Sequence, residues 1–204
     1  YTIGGEVIVT ADAAKFEPNQ VKIGQGSPRN IEVSLEPSPG TIVFNTQPAL
    51  AQTQWFIDGA LIHVGESLSH QTPPGQYDLH VKNEYYLPLT TPVEVKSEEE
   101  VSLSQALEKV QGRINVTSTP LRAKVFVDGR PYGKTPIAIP LEGGAYEVKV
   151  VGEGFEDSID EIKITHEAPH PERHFLLEPK KAALAVSAEP ADGLLTLDGA
   201  EVSL

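Results

Sequence analysis

Cysteine and methionine are both absent from the 204 residues. Without cysteine there is no disulfide, no thiolate metal site and no cysteine nucleophile, and the absence fits a protein that resides outside the cytoplasm. Methionine is missing even at position 1. This leads us to expect a processed chain or a segment of a longer one. No apolar run approaches the length of a membrane span, and no signal peptide is legible. Basic residues are scarce, 16 against 29 acidic ones, for a net charge of −13. That sign repels phosphate backbones and argues against a nucleic-acid partner. It suits a solvated surface or a cationic partner.

Apolar residues make up 39% of the chain and charged ones 22%, enough to bury cores and too much for disorder. Glycine and proline number 17 each, a supply of turn formers that favours short strands over helices. An internal repeat organises them. An apolar residue followed by Asp-Gly occurs at Ile57-Asp58-Gly59, Val127-Asp128-Gly129 and Leu197-Asp198-Gly199, with the glycines 70 residues apart each time. Pro48, Pro120 and Pro190 stand ahead of the three copies. Gly5, Gly75 and Gly144 mark the other half of the unit, as do Phe16, Tyr86 and Phe155. Leu35-Glu36-Pro37 returns as Leu177-Glu178-Pro179. The expected organisation is therefore a C-terminal half unit at 1–37, complete units at 38–110 and 111–181, and an N-terminal half unit at 182–204.

Within a unit the apolar period is 2. Segments 112–118, 123–127, 135–141, 145–151, 159–165 and 173–177 read as short strands separated by turn residues. Residues 102–110 look the most helical, yet their place at the end of a unit makes them a last strand plus linker. The fold class is all-β: tandem small immunoglobulin-like β-sandwiches with a repeat of about 70 residues.

The stretch Asp128-Gly129-Arg130-Pro131-Tyr132-Gly133-Lys134-Thr135-Pro136 contains Gly-Lys-Thr, the tail of a phosphate-binding loop. The glycine such a loop needs would fall on Asp128, and Pro136 precludes the helix that must follow. The hairpin reading explains the same residues. Asp58-Gly59, Asp128-Gly129 and Asp198-Gly199 are two-residue turns with positive φ, and Gly133 lets the chain relax afterwards. Thr135-Pro136 starts the next strand, where proline costs no ladder bond. No nucleotide partner is expected.

The same residues resemble the PEGA domain family. Its pattern appears as Pro120-Leu121-Arg122-Ala123, Val127-Asp128-Gly129, Gly133-Lys134-Thr135-Pro136, Gly144-Ala145-Tyr146 and Gly154-Phe155. The two middle letters of the name motif differ. The unit at 38–110 lacks Gly-x-Thr-Pro, so its hairpin is expected to be reshaped. The resemblance implies non-catalytic repeats on bacterial or archaeal surface and envelope proteins, often set between a membrane anchor and another domain. It brings no catalytic residues.

Other candidates carry less. His166, His170 and His174 have the spacing of a helical metal face, but Pro169 and Pro171 preclude the helix, leaving a solvated loop. Glu98-Glu99-Glu100 and the acidic run at 156–161 lack the pattern of a calcium loop. Asn115-Val116-Thr117 matches a glycosylation sequon inside a strand. No serine–histidine arrangement is legible. Trp55 shares the parity of the core residues, whereas Phe56 and Phe126 have the opposite parity and are candidate contact residues. No metal, cofactor or catalytic residue is expected, and the chain is not expected to be an enzyme. The favoured function is an extracytoplasmic spacer or scaffold of a larger envelope or surface protein, in the periplasm or at the cell surface. Its partner would be a protein or a neighbouring copy, assembled head-to-tail by completion of the half units. Alternatives are a carbohydrate or cell-wall binding module and the non-catalytic region of a larger enzyme or receptor. A membrane anchor outside this segment is compatible with each.

Overall fold

The computed structural model describes residues 5–24, 26–27, 30–181, 195–197 and 200–202. Among these residues there is no helix. None is therefore present that is long and apolar enough to cross a membrane. The chain opens on an antiparallel hairpin of β1 (Val7–Ala11) and β2 (Asn19–Ile23), with Val7 opposite Ile23.

Seven strands follow in the first complete repeat: β3 (Gly40–Gln47), β4 (Gln54–Ile57), β5 (Ala60–Val64), β6 (Ser67–Thr72), β7 (Gly75–Asn83), β8 (Tyr86–Val95) and β9 (Glu100–Ala106). They form a three-stranded sheet, β6-β3-β9, and a four-stranded sheet, β5-β4-β7-β8. β9 runs parallel to β3, with Thr41 beside Glu100. All other pairs in this repeat are antiparallel. The second repeat has β10 (Gln111–Thr119), β11 (Lys124–Val127), β12 (Arg130–Lys134), β13 (Ile137–Glu142), β14 (Gly144–Val151), β15 (Ser158–Ile164) and β16 (Glu172–Leu176). Its sheets are β13-β10-β16 and β12-β11-β14-β15, the same plan. The fold is thus tandem β-sandwiches.

By packing, the chain divides into two compact units. One holds residues 1–115, 138–146 and 161–172, and the other 116–137, 147–160 and 173–204. The division passes through the second repeat, so parts of β13 to β15 pack with the first repeat's unit.

Alternation places the cores. β3 buries Gly40, Ile42, Phe44 and Thr46 and turns the residues between them outward. These meet Trp55, Ile57, Leu68, Leu79, Val81, Val93 and Val95. In the second repeat Ile114, Val116, Val125, Val127, Ile139, Val148, Val150, Ile162, Ile164 and Phe175 are buried. Residues 107–110 are not strand, but Leu107 is buried in the first core and Lys109 bridges to Tyr86. Phe16 bridges to Pro37 and Phe155 to Pro179 in the same way. Leu107-Glu108-Lys109 is therefore the middle copy of the Leu-Glu-Pro mark, unseen in the sequence because lysine stands where proline recurs. The peptide bonds before Pro48, Pro120 and Pro136 are cis.

The half unit expected at 182–204 lies mostly outside the described residues, and Asp198 and Gly199 lie wholly outside them. Its described part is β17 (Leu195–Leu197) antiparallel to β18 (Ala200–Val202), with Leu197 opposite Ala200.

Candidate functional site

The Asp-Gly hairpins are the most repeated feature of the chain. Ile57 faces Ala60 and Val127 faces Arg130, so each turn has two central residues. Asp58 and Gly59 have φ of 48° and 82°, and Asp128 and Gly129 have 48° and 76°. Both φ values are positive, as a type I′ turn requires. The aspartate also has a specific task. The Asp58 carboxylate accepts the N–H of Asp78 at 2.8 Å, and Asp78 O accepts the N–H of Asp58 at 3.0 Å. Asp128 and Glu147 repeat both bonds at 2.9 Å. Each turn is thereby tied to the neighbouring central strand, β7 or β14.

Both hairpins carry a bulge one step from the turn. Ile62 is the extra residue of β5, and Tyr132 that of β12. The hairpin of the first repeat thus keeps the register of the second although it lacks Gly-x-Thr-Pro. Gly133 has φ 143°, a conformation side chains rarely adopt. Thr135 does not start the next strand, which begins at Ile137. It closes the hairpin instead, donating its N–H to Ala123 O at 2.9 Å. Its hydroxyl is buried against the Ser118 hydroxyl at 2.5 Å, and Ser118 donates to Pro120 O at 2.6 Å. The threonine of Gly-Lys-Thr-Pro is therefore a buried tie between the hairpin and β10 of the other sheet. Lys134 beside it is exposed. This stretch does not have the geometry of a phosphate loop, since a strand and not a helix follows it.

The glycine before the tyrosine-bearing strand is equally explicable. The Tyr77 hydroxyl donates to Pro73 O and that of Tyr146 to Glu142 O, both at 2.8 Å. The rings fold back over Gly75 and Gly144, where a Cβ would touch them. Trp55 is buried, with its ring centroid 5.3 Å from that of Phe44 and its indole N–H donating to Gly65 O at 2.8 Å. Phe56 and Phe126 are half-buried, and Lys82 lies over the Phe56 ring at 5.2 Å.

A second cluster joins the two repeats inside the first compact unit. Glu84, in the turn after β7, accepts the backbone N–H of His166 at 3.1 Å on its carbonyl. Its carboxylate lies 3.3 Å from Lys163. Tyr85 O accepts the N–H of Val110, and Val110 O accepts that of Gly143 at 2.7 Å. A Cβ on Gly143 would collide with the Tyr85 carbonyl. Partial burial and the nearby Glu84 carboxylate raise the Tyr85 phenol above its ordinary value. A hydrogen bond to Glu84 raises Lys163. Beside this cluster lies a polar cleft of about 380 Å³ lined by Gln52, Gln54, Lys82 and His166, among others. Of these residues, sequence reasoning singled out only His166, and as a metal candidate. The one signal was the doubled Gly143-Gly144 where the first repeat has Pro74-Gly75.

The three histidines do not act together. His166 faces Glu84, and His174 bonds Thr117 at 2.9 Å and Thr119 at 3.2 Å. His170 is exposed in its loop. Among the described residues no group of three or more His, Asp or Glu is placed to hold a metal ion. In the acidic run, Asp157 pairs with Lys149 at 2.7 Å, a bond that lowers its carboxyl below the ordinary value, and Asp160 pairs with Arg173. Asn115 of the sequon lies on β10, half-buried.

Two sandwiches of one plan, each with an Asp-Gly turn tied to its third strand, define a class of tandem β-sandwich repeat. The PEGA domain model matches residues 67–111 and 111–172, just over half of the chain, and the chain belongs to the PEGA domain family. The first match begins at β6, after the hairpin that lacks Gly-x-Thr-Pro. A comparison with curated protein sequences finds no match. Among solved structures the chain is similar to the Bacillus anthracis TIE protein. The identity is 14% and the TM-score 0.41, over 86% of this chain and 42% of that one. It is also similar to a streptococcal ancillary pilin, at 12% identity and a TM-score of 0.28, over 84% and 73%. The chain thus spans about two fifths of the first of these.

Proposed function

We propose that this chain is a non-catalytic, extracytoplasmic run of PEGA repeats that spaces and presents other parts of a larger envelope or surface protein. The observation that carries the reading is the family match, joined to the cluster at Glu84, Gly143, Lys163 and His166. Residues there are used to tie one repeat to the next. The polar side chains of the motif have structural bonds that support this reading: Asp58 and Asp128 hold turns, Thr135 holds a sheet, Tyr77 and Tyr146 hold corners. Side chains engaged in this way support a structural rather than a chemical role for the motif.

Localisation is the testable part. Intact cells of the native host, treated with an external protease after outer-membrane permeabilisation where one exists, should lose the epitopes of residues 38–181. A cytoplasmic marker should survive. Protection equal to that of the marker would overturn the extracytoplasmic reading.

A further inference from the structure

The two hairpin strands at the free edges of the four-stranded sheets differ in chemistry. β5 reads Ala-Leu-Ile-His-Val and is exposed along its whole length, with Leu61 54%, Ile62 36% and Val64 45% accessible. β4 is its sole partner among the described strands. The turn-closing pair Ile57–Ala60 exchanges its bonds inward, so at the next pair the N–H and C=O of Leu61 point away from β4. In β12 the residue at that place is Pro131, which has no N–H. Gly133 and Lys134 follow, where β5 has His63 and Val64. Proline and lysine are the usual means of blunting an edge strand. β12 has both and β5 has neither.

Charge indicates what an open β5 would accept. At its turn end stands exposed Asp58. At the other end stands exposed Glu66. A second copy of the chain is a poor occupant. Antiparallel self-pairing about Ile62 would set Asp58 of each copy opposite Glu66 of the other, and like charges directly opposite are destabilising. A strand with cations at its ends meets no such opposition.

We propose that β5 is a docking edge for an extended segment of a partner protein. That segment is apolar at its centre and carries a lysine or arginine at each end, facing Asp58 and Glu66. Main-chain bonds to the Leu61 side of β5 would supply the pairing, and Phe56, Leu61 and Val64 would pack its side chains. The spacer role does not require this edge and would survive its failure.

The test uses the whole chain and a labelled peptide of about nine residues, the span from Asp58 to Glu66. It alternates valine and threonine with a lysine at each end. Fluorescence anisotropy should show saturable binding, weakened at least about tenfold when the end lysines are replaced by glutamate. Leu61→Pro copies the residue that β12 already tolerates. It should also reduce binding at least about tenfold, with Trp55 emission and melting unchanged. Should that variant melt early, Val64→Lys, which copies Lys134, serves in its place. No saturable binding, equal binding of the glutamate-ended peptide, or binding indifferent to the edge variant would each overturn the proposal. So would a wild-type dimer that Leu61→Pro converts to monomer, which would assign β5 to a second copy.

Discussion

The two repeats anchor the end of the same hairpin strand by different means. In the second, Thr135 reaches across to Ser118, so the tie runs between sheets through two buried hydroxyls. In the first, Gly65 stands where Thr135 would be, and its carbonyl takes the indole N–H of Trp55 from the adjacent strand. Val125 fills the place of Trp55 in the second core. One repeat thus uses the family's Gly-x-Thr-Pro and has a blunted edge. The other replaces the tie with a large core aromatic and has an open one. The scaffold requires that the strand end be fastened, and it accepts either a hydroxyl or an indole N–H as the fastener. In these two repeats the tie and the edge differ together: the repeat without the motif is the one whose edge strand lacks proline and lysine.

The comparison can be broken most sharply at the glycine that opens each repeat. A Cβ on Gly40 would strike the Lys96 carbonyl and Val95, and one on Gly112 the Pro169 carbonyl and Ile164. Gly40→Ala and Gly112→Ala should each cost about 2–4 kcal/mol, in the range of overpacking against backbone. Trp55 is the single tryptophan, so its emission follows the first repeat. Gly40→Ala should lower the denaturant midpoint that Trp55 reports, and so should Gly112→Ala, because Gly112, Ile164 and Pro169 belong to the same compact unit as Trp55. Two variants that melt like wild type would show that neither close approach is real.

Trp55→Val gives the first repeat the second repeat's residue. It removes a buried ring and leaves the Gly65 carbonyl without its donor, for a loss of about 3 kcal/mol. Urea unfolding followed by circular dichroism measures it. A loss under about 0.5 kcal/mol, the scale of one surface substitution, would mean the indole is not the fastener.

The smallest effect sharpens the same comparison. The Thr53 hydroxyl is buried with no hydrogen-bond partner among the described residues, and the second repeat has Ala123 at that place. Thr53→Ala should be neutral or stabilising by up to about 1 kcal/mol, since an unpaired buried hydroxyl is removed. Thermal melting decides it, and clear destabilisation would show that the hydroxyl has a partner.

Much of the fold was legible because its causes are local. Alternation of apolar residues assigns Ile57 and Val127 to the core and Phe56 and Phe126 to the other face. Asp-Gly specifies a turn through its own φ preferences. Proline and glycine punctuate each strand within a few residues of the place they act. A period of about 70 multiplies these weak signals until chance is excluded. The site was less legible because its causes are distant. Thr135 reads as a strand opener until Ser118, 17 positions earlier, is seen against it. Leu107-Glu108-Lys109 reads as linker until Tyr86 is seen to bridge to it. Glu84 meets Lys163, 79 residues later, with no mark in either segment beyond the extra Gly143.

By itself, then, the sequence determined the repeat, the strands, the turns and the facing of the core, since short-range sterics and the two-residue period act on neighbours. Only the tertiary structure decided which hydroxyl is buried, which glycine must have no side chain, and which edge strand is left open. Those outcomes depend on atoms that the chain brings together across tens of residues, and no local preference records them.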